Sequence, residues 1–321
     1  MSEQAAADPL PGRGSHPAAT ILVALAAAGF VAVGFLGLGR YVRNYWLYRG
    51  FPPPRDPAFV TAPGRKETFY LRSSALGGRS QQVVVYLPSA YDRKPQTRFP
   101  VIYLLHGFPG RPTAFLLTVR AGVVDDILAT RGHTRPAILV MPFGSTGTFT
   151  DKEWANGVRP HEAWESFVAT DVVHAIDSRY RTIANGGGRA LAGLSEGGYG
   201  ALNIGIHHPG EFRVLESWSG YERADNLEPI FGRRAKLLAY NSPLLQLRAA
   251  APALRRAKTY VWLYSGTSDP LRHQNAAFAA ELGRAGVPYR FQVLSGGHDW
   301  RLWRGQARPA LLAALSRLSH G

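Results

Sequence analysis

Cysteine is missing from all 321 residues of the chain. Its absence excludes structural disulfides, zinc sites built on thiolates and catalysis by a thiol nucleophile. A chain without cysteine is compatible with a reducing or an oxidising compartment, so this feature does not locate the protein.

Acidic residues are also scarce, because 22 Asp and Glu stand against 37 Lys and Arg and leave a net charge of +15. A positive charge of this size is compatible with binding to nucleic acid or to anionic lipid. The basic residues are scattered singly, and the sequence has no basic run interleaved with aromatics and no nucleic-acid-binding motif. We therefore expect no nucleic-acid partner, and an anionic membrane surface is the favoured neighbour.

Charged side chains are absent from the 22 residues of segment 18–39. As a helix rising about 1.5 Å per residue, this segment would reach roughly 33 Å, enough to span a bilayer core. Arg40, Tyr41, Arg43 and Trp46 follow directly, which is typical of an interfacial anchor rather than of a signal-peptide cleavage site. The sequence predicts an N-terminal tail at 1–17, one transmembrane helix at 18–39, a juxtamembrane tether at 40–60 and a catalytic domain at 61–321.

Beyond residue 60, strand-like and helix-like segments alternate. The predicted strands cover residues 82–87, 101–105, 137–141, 190–194, 214–218, 260–264 and 290–294. This alternation predicts an α/β fold, a mostly parallel sheet with helices on both faces and functional side chains where strands end. The long connection at 220–257 is interpreted either as a helical cap over the active site or as an insertion without substrate contact.

The segment Gly193-Leu194-Ser195-Glu196-Gly197 matches the G-x-S-x-G nucleophile elbow. An apolar strand precedes it and a helical segment follows it, which is the context that the motif requires. Glycines suit such a turn because the serine backbone is strained and its neighbours pack closely. The pattern predicts Ser195 as a nucleophile.

A serine hydroxyl needs a base, and the base needs a carboxylate that fixes its tautomer. Asp269 follows the strand at 260–264, and His298 follows the strand at 290–294 after two glycines. The order Ser195, Asp269, His298 is the one expected of α/β-hydrolases. The sequence therefore predicts a Ser-His-Asp triad.

An oxyanion hole in this fold takes one amide from the residue after the serine and another from the loop after an earlier strand. Here those amides belong to Glu196 and Phe108. His106, just before that loop's Gly107, is interpreted as shaping the loop rather than as a base.

These residues resemble an esterase family that includes esterase D (S-formylglutathione hydrolase) and the secreted mycolyltransferases of mycobacteria. The resemblance covers about residues 65–318 and rests on Tyr103-Leu104-Leu105-His106-Gly107-Phe108, Trp164-Glu165-Ser166-Phe167, the 193–197 elbow, His208-Pro209 and His298-Asp299-Trp300 with Trp303. It implies the α/β-hydrolase fold, with Ser195 as nucleophile, His298 as base, and Phe108 and Glu196 as oxyanion donors.

The mycolyltransferase pattern adds an alternative acid, because it places a glutamate on the helix after the strand, at a position that Glu281 matches. We favour Asp269, since a loop at a strand end holds a carboxylate more rigidly. The mycolyltransferases also carry a sugar-binding aspartate where this sequence has His106, so the sequence departs from their pattern there.

Two arguments disagree on the side of the membrane that the catalytic domain occupies. Arg13 precedes the apolar segment while Arg40, Arg43 and Arg49 follow it, which favours a cytoplasmic domain. The mycolyltransferase-like members act outside the membrane on envelope lipids. We expect a single-pass cell-membrane protein with an extracytoplasmic domain, because the charge difference is small and long folded domains translocate despite flanking charge.

The expected function is a membrane-anchored serine esterase that hydrolyses an acyl ester or lipid substrate through an acyl-enzyme, with no metal or cofactor. An acyltransferase that passes the acyl group to a sugar or lipid hydroxyl is the alternative. A non-catalytic, membrane-anchored binding protein is a third reading.

Overall fold

The computed structural model describes residues 17–147 and 149–319. The chain divides into two compact units, Met1–Gly50 and Phe51–Gly321. Residues 1–16, most of the predicted N-terminal tail, lie outside the described residues.

The first unit contains helix α1 over Pro17–Tyr48. This helix is long and apolar enough to cross a membrane, a property that signal sequences near an N-terminus share. It continues past residue 39 into the first part of the predicted tether, and the bounds of the membrane-spanning part stay a prediction. Residues 40–48 contain neither glycine nor proline, and the first helix breakers are Gly50 and Pro52.

The second unit is built on one sheet. Its strands are β1 Arg65–Ser73, β2 Arg79–Leu87, β3 Val101–Leu105, β4 Ile138–Pro142, β5 Arg189–Leu194, β6 Val214–Trp218, β7 Tyr260–Gly266 and β8 Tyr289–Leu294. Across the described residues their order is β1-β2-β4-β3-β5-β6-β7-β8. β2 pairs antiparallel with β1 and with β4, and the other pairs are parallel. The mostly parallel sheet is confirmed.

Helices connect these strands. They are α2 Ala90–Arg93, α3 Ala114–Leu117, α4 Ala121–Thr130, α5 Trp164–Ser166, α6 Val173–Arg179, α7 Glu196–His207, α8 Glu228–Phe231, α9 Ala235–Tyr240, α10 Pro243–Arg256, α11 Arg272–Arg284 and α12 Trp300–Leu315. A π-helical turn, Phe167–Val172, joins α5 to α6, and a short 3-10 turn, Gly186–Gly188, precedes β5.

The sheet separates two hydrophobic layers, as the alternation of strand side chains dictates. Val83 and Val85 belong to the layer that contains buried residues of α7, α10 and α11. The alternate residues of the same strand, Val84 and Tyr86, belong to the opposite layer, which contains buried residues of α4 and α12. Helices therefore cover both faces, and the carboxyl ends of β5, β7 and β8 lie at one edge.

The 220–257 connection contains α8, α9 and α10. Helix α10 packs into the first layer through Leu247, Ala251 and Leu254. Ile230 and Phe231 form a separate small cluster with Tyr199 on α7. The segment is helical, and its contact with substrate stays a prediction.

Candidate active site

Ser195 forms the turn between β5, which ends at Leu194, and α7, which begins at Glu196. Its backbone has φ 55° and ψ −122°. Residues other than glycine rarely adopt this conformation, and it persists only where the surroundings enforce it. The Ser195 amide donates a hydrogen bond to the Trp218 carbonyl at 2.9 Å, which ties the turn to the end of β6.

The glycines of the elbow are required by close backbone approach. A Cβ on Gly193 would collide with the Gly197 carbonyl, and a Cβ on Gly197 would collide with the Leu105 carbonyl at the end of β3. The loop after β3 also approaches closely, because a Cβ on Gly107 would lie 3.0 Å from the Cβ of Ser195. Glycine thus allows both loops to meet at Ser195.

The structure brings Ser195, His298 and Asp269 together. His298 Nε2 lies 2.9 Å from Ser195 Oγ, and His298 Nδ1 lies 3.2 Å from Asp269 Oδ2. The Asp269 carboxylate can only accept a hydrogen bond, so it favours the His298 tautomer that carries its proton on Nδ1. In that tautomer Nε2 is free to accept the proton of the serine hydroxyl. These distances form one continuous hydrogen-bond chain from the carboxylate to the hydroxyl.

Asp269 is held in an ionised, oriented state. Burial opposes its ionisation, but hydrogen bonds from His298 and from the Leu271 amide outweigh burial and lower the pKa of Asp269 below its usual value. The Leu271 amide donates to Oδ1 at 2.9 Å while Oδ2 faces His298. The imidazole ring of His298 packs edge-to-face against the Trp303 ring, with ring centroids 5.1 Å apart. The imidazole is therefore fixed by contacts on two sides.

Glu281, the alternative acid, lies on α11 and is engaged elsewhere. Its carboxylate pairs with Arg284 at 2.6 Å and with Arg248 at 3.3 Å, and the pairing lowers its pKa. Within the described residues, Asp269 is the carboxylate that hydrogen-bonds to His298.

The two predicted oxyanion donors lie on two different loops, one directly after Ser195 and one after β3. Glu196 is the first residue of α7, where amides lack partners within the helix. Phe108 lies in the loop after β3, beside the Gly107 that contacts Ser195. Their role in binding an oxyanion stays a prediction.

His106 is buried and held at both ring nitrogens. The Gly144 amide donates to Nε2 at 3.2 Å, so the proton lies on Nδ1, which faces the Gly107 carbonyl at 3.0 Å. Burial lowers the pKa of His106 to about 4. Trp154 Nε1 donates to the His106 carbonyl at 2.9 Å. A neutral histidine with both nitrogens occupied helps to hold the loop after β3 and has no free nitrogen to act as a base.

A buried carboxylate group beside the elbow was missed from the sequence. The Glu153 amide donates to Glu196 Oε1 at 3.0 Å and to Asp151 Oδ1 at 3.1 Å, and Tyr221 hydrogen-bonds to the Glu153 carboxylate. Burial first, and neighbouring carboxylates second, raise the pKa of Glu196 and of Glu153 well above the usual value. The only available signal was the acidic pair at 151 and 153.

One ligand atom from each of Asp151, Glu153 and Glu196 lies within 4.8 Å of the others, close enough to share a cation. Burial raises the pKa of all three carboxyls and favours their protonated forms, which do not attract a cation, although the hydrogen bond from the Glu153 amide opposes this shift at Glu196. The group carries no assignment of a metal.

A second missed group lies behind the acid. The Glu222 side chain is buried, and neither of its carboxylate oxygens has a hydrogen-bond partner among the described residues. Burial, followed by the nearby charge of Asp269, raises the pKa of Glu222 well above its usual value. A neutral Glu222 adds no second negative charge beside Asp269.

The amino-acid sequence of this chain is similar to those of known esterases. The family model described as "Putative esterase" matches residues 73–314. Esterase Rv1288 of Mycobacterium tuberculosis is 30% identical over 261 residues, which cover 73% of this chain and 55% of that esterase. An endo-1,4-beta-xylanase/feruloyl esterase of Xylanibacter ruminicola is 34% identical over 156 residues, 48% of this chain and 21% of that protein. The chain spans about half, or less, of these relatives.

Solved structures share the fold. A ferulic acid esterase superposes with a TM-score of 0.70 at 24% identity, covering 81% of this chain and 100% of that one. An S-formylglutathione hydrolase from Agrobacterium tumefaciens superposes with a TM-score of 0.68 at 14% identity, covering 84% of this chain and 100% of that one. The predicted family resemblance is confirmed.

Proposed function

Because this chain belongs to the esterase family of α/β-hydrolases, we propose that it is a membrane-anchored serine hydrolase of carboxylic esters. The observation that carries the proposal is the hydrogen-bond chain from Asp269 through His298 to Ser195. A hydroxyl, an imidazole and an ionised carboxylate in this order are the groups that acyl transfer through serine requires.

The first half-reaction forms an acyl-enzyme. Ser195 Oγ attacks the ester carbonyl carbon while His298 Nε2 takes the hydroxyl proton, and Asp269 stabilises the imidazolium that results. The amides of Phe108 and Glu196 donate to the developing oxyanion. The tetrahedral intermediate then collapses, the carbon–oxygen bond to the alcohol breaks, and His298 returns its proton to the departing alkoxide.

The second half-reaction decides between hydrolysis and transfer. Water, deprotonated by His298, attacks the acyl-enzyme and releases a carboxylic acid. A sugar or lipid hydroxyl in the place of water would make the same site an acyltransferase. Relatives named as esterases favour water, so hydrolysis is the leading proposal.

The substrate is proposed to be an acyl ester, since the superposed structures include a ferulic acid esterase. A panel of esters with acyl groups from acetyl to long-chain and feruloyl, assayed with and without sugar and glycerol acceptors, separates the alternatives. Free acid as the main product in the presence of acceptor supports the esterase. Acylated acceptor as the main product would make the acyltransferase correct.

A fluorophosphonate probe tests the nucleophile directly. We expect Ser195→Ala to abolish labelling and to lower kcat on a p-nitrophenyl ester by up to about 10⁶-fold. Ser178→Ala is the matched control, because Ser178 is an exposed serine whose hydroxyl, among the described residues, donates to the His174 carbonyl of its own helix alone. Retention of more than about a tenth of the activity in Ser195→Ala would refute the assignment, and a wild-type chain that neither labels nor hydrolyses esters would favour the binding protein.

The anchored location is part of the proposal. It is supported by the apolar helix α1 and by the basic and aromatic residues at its end. We further propose that the hydrolase unit lies outside the cytoplasmic membrane.

A further inference from the structure

A cluster of basic side chains lies at the edge of the sheet opposite the nucleophile. Arg213 precedes β6, Lys258 precedes β7 and Arg290 lies at the start of β8. Arg255 lies in the last turn of α10, and Arg317 follows α12, which ends at Leu315. These five residues define the basic cavity.

The basic cavity is concave. It consists of two adjoining depressions of about 540 and 760 Å³ that share Tyr260, Ser316 and Arg317. Pockets for small ligands fall in a range of about 300–1,000 Å³, so each depression has room for one. No aspartate or glutamate lines either depression.

These five cations differ from the paired arginines elsewhere in the chain. Arg65, Arg189 and Arg284, for example, each form ion pairs with carboxylates. None of the five forms an ion pair with any residue that the structure describes. Glu216 is an acidic residue that interacts electrostatically with Arg317. Its side chain is buried, with 1% of the residue exposed, and burial raises its pKa to about 8, so Glu216 is mostly neutral at pH 7.

Helix ends do not neutralise the cavity. The carboxyl ends of α10 and α12 each contribute a partial charge of about −0.5, against five full positive charges. Like charges gathered in a concave surface repel one another, and a bound anion relieves that repulsion.

Several cations are held in place by neighbours that are not anions. Arg317 stacks on the Tyr260 ring, 3.6 Å from its centroid, and also donates to Ser316 Oγ. Arg213 donates to the Ala257 carbonyl at 3.3 Å, and Arg255 donates to the Ala285 carbonyl. Each guanidinium has five N–H donors, so these contacts leave donors for a ligand.

We propose that the basic cavity binds a phosphate group. Tetrahedral oxyanions suit several converging guanidinium donors, and arginine binds phosphate through paired hydrogen bonds. The phosphate can belong to a lipid headgroup or to a small soluble anion, and the chemistry of recognition is the same for both.

Calorimetric titration of the full chain in a neutral detergent tests this proposal. The probes are inorganic phosphate, dihexanoylphosphatidic acid and, as a zwitterionic control, dihexanoylphosphatidylcholine. We expect saturable binding of at least one of the first two, weakened at least tenfold in the double variant Arg290→Gln/Arg317→Gln. Preference for the phosphatidic acid identifies a lipid headgroup, and equal or stronger binding of inorganic phosphate identifies a soluble anion.

The matched control is Arg256→Gln/Arg308→Gln, which removes the same charge from exposed positions on α10 and α12 that do not line the cavity. Its affinity is expected to stay within about twofold of the wild type. Equal weakening in both double variants would show a diffuse charge effect and overturn the proposal, as would absence of saturable binding or equal binding of the zwitterion. Far-UV circular dichroism and a melting temperature that match the wild type verify that the cavity variant folds.

Discussion

At the scale of single residues, two carboxylates compete for the role of catalytic acid. Asp269 accepts from His298 Nδ1, whereas Glu281 is paired with two arginines. We expect Asp269→Asn to lower kcat by about 10⁴-fold, because an amide at that position no longer fixes the imidazole tautomer. Glu281→Gln should leave kcat within about twofold. Initial rates on a p-nitrophenyl ester measure both, and loss of activity in the Glu281 variant alone would reverse the assignment.

Glu216 is a buried carboxyl whose protonation links pH to stability. Trp218 Nε1 donates to Oε2 at 2.9 Å, Oε1 has no partner among the described residues, and burial raises the pKa to about 8. In the unfolded chain the pKa is about 4.3, so the folded state binds more protons between the two values. Unfolding free energy should therefore fall as pH rises from about 4.5 to 8 and level off above.

Glu216→Gln tests this linkage, because glutamine keeps the acceptor for Trp218 and removes the titration. We expect a shallower loss of stability between pH 5.5 and pH 8, by an amount on the order of a few kcal/mol. Thermal unfolding at the two pH values measures it. Glu228→Gln, an exposed position on α8, should keep the wild-type slope. An unchanged slope in Glu216→Gln would contradict the assignment.

At the scale of elements, the turn from β5 to α7 depends on space that glycine leaves. Gly197→Ala would place a Cβ against the carbonyls of Leu105 and His106, both on rigid backbone. We expect a loss of about 1–3 kcal/mol of stability together with loss of fluorophosphonate labelling, because overpacking displaces the loop after β3 as well as the elbow.

The matched control is the same substitution in α12. A Cβ on Gly305 meets no atom within 4 Å, and alanine is favoured over glycine inside a helix by about 1 kcal/mol. Gly305→Ala should therefore raise the melting temperature slightly and leave labelling intact. If Gly197→Ala behaves like Gly305→Ala, close approach does not explain the elbow.

At the scale of the whole molecule, what was predictable from the sequence followed from local pattern. Alternating strands and helices implied a parallel sheet, and polar residues just past strand ends were expected to meet, as Asp269 and His298 do. Strand β1 escaped prediction because four of its nine residues are charged and five are exposed, so Phe69 and Leu71 alone mark its buried face. Glu153 and Glu196 lie 43 residues apart, and only the fold brings them together.

Helix α1 is longer than the charge-free segment for a physical reason. That segment ends at Gly39, but charge does not break a helix, and α1 runs to Tyr48. Arg40 and Arg43 therefore lie on the helix itself and not on a flexible tether. The apolar part of α1 predicts insertion into a membrane. The helix breakers Gly50 and Pro52 predict where the helix ends.

The membrane location of the hydrolase unit is testable on intact cells. An anchored, extracytoplasmic chain should remain in the membrane fraction at full length after a carbonate wash, since α1 is not cleaved. Protease added to wall-stripped cells should digest residues 51–321, whereas a cytoplasmic marker protein stays intact. Soluble, shortened protein outside the cells would show that the apolar helix is a signal peptide. Protection until lysis would place the domain in the cytoplasm, as the arginines after α1's apolar part favour, and would argue against a substrate in the cell envelope.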